Sequence, residues 1–294
     1  MNVSASNAVL EQRAFEAIAA LAHQEFGLHI APEKMKMVQS RLRHRLSELN
    51  LTDFDSYSEL VCSERGGDEK RCMISALTTN VSHFFREPHH FDLLSAHMLP
   101  GLNSRVAQKD RIRIWAAGGS TGLEPYSIAR HMTDKLPSLS DADFRVLATD
   151  VDPKVVAFAK EGVYETRVSA GISEENKKQF LHWSEDSFRV SKKIHDCVAF
   201  RELNLLAQWP MQHKFDAIFC RNVVIYFDAA TQEKLWPRFY QALKPGGLLF
   251  LGHSERIGTP SQFGFKTIGT TAYQKEDGEK QRPSQTSGGF YGAA

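Results

Sequence analysis

Cysteine is scarce in this sequence, and its placement excludes most cysteine chemistry. Cys62, Cys72, Cys197 and Cys220 form no CxxC pair and no cluster with histidine at metal-ligand spacing. That argues against a zinc module and a disulfide framework, and free thiols in a reducing compartment are the expectation. Long hydrophobic runs are missing as well, since none approaches the roughly 20 apolar residues of a membrane span. The N-terminus lacks the basic-then-apolar layout of a secretory signal, so the expectation is a cytoplasmic protein with no direct membrane insertion. Net charge is almost absent: 36 Lys and Arg against 35 Asp and Glu leave +1, which argues against a dedicated nucleic-acid binder. What is present is ordinary globular material. With 42% hydrophobic and 24% charged residues, the 294 positions suffice for one large domain or two modest ones. There are no internal repeats, and a monomer is expected.

Residues 10–99 carry helical periodicity. Phe15, Ile18, Leu21 and Phe26 suit one amphipathic helix, and Met35, Val38, Leu42, Leu46 and Leu49 suit the next. Asp53 opens a further short helix, and apolar periodicity returns at 72–77 and 91–99. Pro100, Gly101 and the polar residues to 110 read as a linker. From 111 the texture changes to short apolar runs of strand character: RIRIWAA (111–117), FRVLATD (144–150), FDAIFC (215–220) and GGLLFLG (246–252). Helical segments at 125–135, 153–160 and 230–243 separate them. Strand alternating with helix predicts right-handed βαβ units and a mostly parallel sheet covered on both faces. Residues 263–273 suit a terminal hairpin strand, and 276–294, rich in Gly, Ser, Gln and Lys, read as a disordered tail.

The most informative passage runs from Ile112 to Ser127. A strand leads into Gly118, Gly119 and Gly122, and Pro125 stands where a helix begins. Glycines permit tight turning and close backbone approach, which is how such sheets hold a nucleotide-type ligand outside the strands' carboxyl ends. A plain strand-to-helix turn would look the same. Asp150 ends the next strand about 30 residues later, where a carboxylate can accept both ribose hydroxyls of an adenosine; a turn or cap role before Pro153 is the alternative. Glu124 bears on which adenosine ligand is held. A dinucleotide needs this helix N-terminus for its pyrophosphate, and the Glu124 charge would repel one. S-adenosylmethionine carries an ammonium and a sulfonium and suits a carboxylate, although acidic residues also favour first helical turns for dipole reasons alone. Further along, Asn204 has the position to read an adenine edge, with Leu205 or Leu206 against its face, or else to serve as a turn residue. Arg221 and Asn222 follow another strand to the same carboxyl edge, where ligands of such sheets bind.

Together these residues resemble the CheR family of chemotaxis protein-glutamate O-methyltransferases. The resemblance covers residues 15–273 and rests on LTTNVSHFFRE (77–87), STGLEPYS (120–127), FDAIFCRNVVIYFD (215–228) and GHSE (252–255). It implies an all-α N-terminal domain followed by a Rossmann-like α/β methyltransferase domain, with a small antiparallel β-subdomain inserted at about residues 180–200. It implies S-adenosylmethionine as cofactor, S-adenosylhomocysteine as product, and the cytoplasmic helical domain of a chemoreceptor as partner. Carried over by position, Asn80, Ser82, Arg86, Gly118, Glu124, Asp150, Asn204 and Leu205 line the cofactor site, with Arg221 and Asn222 near it. Arg86 and Tyr226 fall beside the transferred methyl and the acceptor carboxylate. Those two roles make chemical sense. A glutamate is already ionised at neutral pH and needs no general base, so the enzyme must supply orientation. Arginine can hold a carboxylate by charge-assisted bonds, and tyrosine can hydrogen-bond either reactant. A surface ion pair of Arg86 with Glu87, and a half-buried sheet-edge position for Tyr226, are the structural alternatives.

The sequence departs from the family pattern in three places. Leu123 stands where a first glutamate often precedes Glu124, Ser82 where threonine is common, and residues 183–195 contain no glycine. Family members that dock on a receptor's C-terminal pentapeptide carry a glycine-bearing turn there, so independence from such a tether is expected. On helical spacing Lys34, Arg41 and Arg45 fall within about 40° of one another. They are the expected docking face for an acidic receptor helix, a solvated charged face being the plain alternative. A methyltransferase of the same fold acting on another acceptor, and a non-catalytic cofactor-binding module, are the competing functions. An NAD dehydrogenase is disfavoured by Glu124.

Overall fold

The computed structural model describes residues 8–78, 82–169 and 172–276. The expected tail from 277 onward lies outside the described residues. The chain opens with four helices: α1 (Gln12–Phe26), α2 (Met35–Glu48), α3 (Phe54–Cys62) and α4 (Gly67–Leu77). Asp53 caps α3, its side chain accepting the Ser56 N–H at 2.8 Å. The apolar stripes of these helices close on one core that includes Phe15, Ile18, Val38, Leu42, Leu46 and Tyr57.

Next come α5 (Pro88–Met98) and α6 (Leu102–Ala107). Neither belongs to the first core. Phe91, Leu94, Met98 and Leu102 pack with the sheet residues of the second half. Helices α5 and α6 therefore pack with the second half, on either side of the boundary expected at 99/100, and residues 102–107 of the expected linker at 100–110 are helix. Its Pro-Gly pair only turns the chain, Gly101 adopting φ +84°, so that α6 can bury Leu102.

The second half alternates β1 (Ile112–Ala117), α7 (Leu123–Lys135), β2 (Phe144–Asp150) and α8 (Pro153–Glu161). A small unit follows, made of β3 (Val163–Glu165), α9 (Glu174–Phe180), β4 (Leu181–Trp183) and β5 (Ser187–Val190). The chain then runs through α10 (Lys192–His195), β6 (Val198–Glu202), β7 (Phe215–Cys220), α11 (Ala229–Ala242), β8 (Leu243–Leu251), β9 (Phe265–Gly269) and β10 (Ala272–Lys275). The main sheet has the order β6-β2-β1-β7-β8-β10-β9. Its first five strands are parallel, and β10 and β9 close it as antiparallel neighbours. Strand alternation divides β1 between two faces. Ile112, Ile114 and Ala116 enter the core under α5 and α7, while Trp115 and Ala117 enter the one under α11.

The inserted unit is a three-stranded antiparallel sheet of order β3-β5-β4. It starts at Val163 rather than near 180, and residues 198–202 belong to the main sheet, which corrects the expected limits of 180–200. Three residues are too few for β3 to show alternation, yet Tyr164 is buried opposite Phe188 and fixes the pairing. Among the described residues no helix is long and apolar enough to cross a membrane.

Candidate active site

At the carboxyl edge of the parallel strands the chain must turn from β1 into α7 without blocking the sheet. Gly118 takes φ +83°, and a Cβ on it would lie 2.2 Å from Cγ2 of Val223, so only glycine fits. The N–H groups of Gly118 and Gly119 both donate to the Thr149 carbonyl at 2.8 Å. Asp150, at the end of β2, then accepts the Ser120 N–H at 2.8 Å on one oxygen and the Asp152 N–H at 3.1 Å on the other. Burial pushes its carboxyl above the usual range, although those N–H bonds oppose the shift. The capping role weighed for Asp150 belongs to Asp152, which accepts the Lys154 N–H at the start of α8.

These turns form one wall of a cleft that opens to solvent. Ser82, Arg86, Gly118, Glu124 and Asp150 line it, as do Asn204, Leu205, Arg221, Asn222 and Tyr226. Asn80 lies outside the described residues. The helical half contributes Phe26, Leu28, Ile74 and Thr78 to the same walls, so both halves of the chain build the cleft. Leu123 does not line it and is buried in the α/β core. The leucine therefore removes no acid from the cleft wall.

Charge in the cleft is organised by Arg221, whose side chain is 1% exposed. Its Nε donates to Oε2 of Glu124 at 2.5 Å, and one terminal nitrogen donates to the Arg86 carbonyl at 2.5 Å. Oε2 of Glu87 stands 3.6 Å from that nitrogen. The guanidinium also lies over the rings of Phe91 and Phe219, 5.8 and 5.5 Å from their centroids. His90 meets Glu87 at 3.2 Å, but burial, with the Arg221 charge behind it, holds its ring at about 4, so it is neutral at pH 7. Glu124 keeps its second oxygen, Oε1, buried with no protein hydrogen-bond partner. A buried acceptor left open this way suits an ammonium-bearing ligand, and with Asp150 at the neighbouring strand end it fits the residues to S-adenosylmethionine. Among the described residues no cluster of side chains has the makings of a metal site.

A family model described as CheR methyltransferase, SAM binding domain, matches residues 80–274, and one described as CheR methyltransferase, all-alpha domain, matches residues 13–78. The chain belongs to the CheR methyltransferase family. It is 43% identical over 258 residues to a probable chemotaxis protein methyltransferase of Rhizobium etli, covering 86% of this chain and 96% of that one. It is 40% identical over 248 residues to the chemotaxis protein methyltransferase of Escherichia coli, covering 83% and 84%. It is 38% identical over 265 residues to chemotaxis protein methyltransferase 2 of Pseudomonas aeruginosa, covering 88% and 91%. The activity is that of the family: S-adenosylmethionine-dependent methylation of protein glutamate side chains on chemoreceptors.

Within this CheR methyltransferase, Asn204 is engaged by backbone at both ends of its amide. Its Nδ2 donates to the Glu25 carbonyl at 2.7 Å and its Oδ1 accepts the Leu206 N–H at 2.9 Å. The turn role weighed for it is present, and the same side chain ties α1 to the strand edge. One N–H and one carbonyl lone pair remain for a ligand. Arg86 and Glu87 also approach, Nε to Oε1 at 4.0 Å, so the ion pair weighed for Arg86 coexists with its place in the cleft. Tyr226 is half-buried in a 3-10 turn, Val224–Tyr226, rather than at a sheet edge. Its carbonyl accepts the His29 N–H at 2.8 Å, and its side chain packs on the helical core.

The expected docking face on α2 is not one exposed face. Arg45 is buried: its Nε and a terminal nitrogen bind both oxygens of Glu69 on α4, at 2.9 and 2.6 Å. Arg41 is half-buried and donates to the Leu77 carbonyl. Lys34 is exposed, as is Lys36. Helical spacing carried no information about α4, whose packing takes Arg45 out of solvent, and Lys34 lies in the 3-10 turn before α2 rather than on the helix. Sequence reasoning also assigned no role to His90 or Glu255, although the second lies in the quoted GHSE segment.

Proposed function

We propose that Arg86 and Tyr226 orient the acceptor glutamate in this cleft, and that Gly118, Glu124, Asp150, Asn204 and Leu205 hold the methyl donor. The observation that carries the assignment is their convergence on one cleft, with Arg221 fixing both Glu124 and the Arg86 main chain. When bound, S-adenosylmethionine supplies a methyl group activated by its sulfonium. The protein's own task is to deliver an ionised carboxylate in line and to exclude water. The Arg86 guanidinium attracts and aligns the acceptor carboxylate, and the Tyr226 hydroxyl sets its orientation by a hydrogen bond. Ser82 and Asn80 belong to the same assignment, as do Arg221 and Asn222 in supporting positions.

The receptor's helical domain docks against the exposed lysines at the start of α2, Lys34 just before it and Lys36 within it, without Arg45. The β4–β5 turn at 184–186 has no glycine, which supports methylation independent of a C-terminal pentapeptide. The test is transfer of labelled methyl to receptor cytoplasmic domains with and without their C-terminal tails. Label released by mild base and equal rates on both substrates are expected. Arg86→Ala should abolish most transfer while the chain still melts as the parent does. Base-stable label would refute the ester, and tail-dependent rates would refute tether independence.

A further inference from the structure

Glu255 is buried, 3% exposed, in the turn that follows β8, and among the described residues no cation pairs with it. Its carboxylate is instead solvated by main chain. Oε2 accepts the Gly252 N–H at 2.6 Å and the Asn222 N–H at 2.8 Å, and Oε1 accepts the Ile225 N–H at 3.0 Å. Two of those donors belong to the 222–226 turn, which ends in Tyr226. That turn is strained: Asn222 takes φ +60°, a region non-glycine residues seldom occupy. The approach is also sterically reserved. A Cβ on Gly252 would lie 2.7 Å from the Asn222 nitrogen and 2.8 Å from Oε2 of Glu255.

We propose that Glu255 is a positioning residue for methyl transfer, clamping both ends of the 222–226 turn so that Tyr226 is held in the cleft. The proposal rests on the acceptor-orienting role given above to Tyr226. A buried carboxylate satisfied only by N–H groups is an acceptor-only device, with two oxygens for three donors. A glutamine has the same shape but must turn its NH2 group towards at least one of those donors. It thereby replaces a bond with a donor-donor clash and frees one end of the turn. An acid that merely finished strand β8 would need only Gly252. The two longer bonds, each spanning at least 30 residues of sequence, serve the turn alone.

The test is a double-mutant cycle between Glu255→Gln and Tyr226→Phe, read as kcat for methyl transfer to a receptor fragment. If Glu255 acts through Tyr226, Glu255→Gln lowers kcat about tenfold in the parent but less than about twofold in the Tyr226→Phe background. Additive effects would overturn the proposal while leaving the Tyr226 role intact. An unchanged kcat for Tyr226→Phe alone would overturn both. Should Glu255→Gln fail to fold, Glu255→Asp carries the same cycle, since it keeps the charge and shortens the reach by one methylene. Additivity of the aspartate with Tyr226→Phe would again refute the clamp.

Discussion

Arg45→Met separates a docking residue from a structural one. The guanidinium and the Glu69 carboxylate are 7% and 9% exposed and share two hydrogen bonds. Tyr57, fully buried, donates a third bond to Glu69 at 2.9 Å. Removing the cation leaves a desolvated carboxylate whose remaining partner is a phenol, and breaking a buried pair from one side costs about 3–5 kcal/mol. With an unfolding entropy near 2.1 cal/mol/K per residue, that loss lowers the melting temperature by roughly 5–8 °C if the chain unfolds as a unit. Pairing Arg45→Met with Glu69→Leu should restore much of the loss, because an apolar pair of similar volume replaces a buried ion pair at little cost. Calorimetric or fluorescence melting reads both variants, and receptor KM measured well below the transition should stay within twofold of the parent. An unchanged melting temperature with a raised receptor KM would refute the buried-pair reasoning and return Arg45 to the docking face.

Gly118→Ala should weaken binding of the product S-adenosylhomocysteine by about tenfold or more, because the new Cβ meets Val223 at 2.2 Å in a φ +83° turn; unchanged affinity in calorimetry would refute the steric argument. His90 predicts a pH-dependent stability. Its ring titrates near 4 in the folded chain against an ordinary 6.5, so between those values the unfolded chain binds the extra proton. Stability should therefore fall as pH drops from 6.5 towards 4, by a few kcal/mol on the order expected for such a shift. Urea denaturation at several pH values should show a shallower slope for His90→Gln, and an identical slope would contradict a buried neutral ring.

How much could be read from sequence depended on whether a residue's role was set along the chain or across it. The strand-to-loop edge was legible because Gly118, Asp150 and Arg221 each follow a short apolar run that can only be a buried strand. A parallel sheet then brings all such ends to one side. Asp53 was legible for a similar reason, since a cap acts within three residues of itself. Arg45 was not, because its partner lies on another helix and helical spacing carries no record of it. The start of the inserted sheet was hidden by the brevity of β3, and the extra helix α6 by a Pro-Gly pair that marks a turn as readily as a linker. Glu255 and His90 act on backbone groups far away in sequence, and nothing local distinguishes them from a surface acid and a surface imidazole.

On the roles proposed for Arg86 and Tyr226, the arrangement around them suits what this reaction demands. No proton has to be removed from an ionised carboxylate, so the available gain lies in fixing geometry before the reactants meet. The structure applies that constraint through the main chain. Arg221 binds the Arg86 carbonyl, His29 binds the Tyr226 carbonyl, and Glu255 binds the N–H of Ile225 immediately before Tyr226. An isolated bridge between Leu28 and Phe227 reinforces the second of these from the helical half. Anchoring by backbone limits where each side chain can reach. On the role proposed for Tyr226, it also ties the helical half to the chemistry: loosening the 27–29 segment should disturb Tyr226 even though no residue there needs to touch the acceptor.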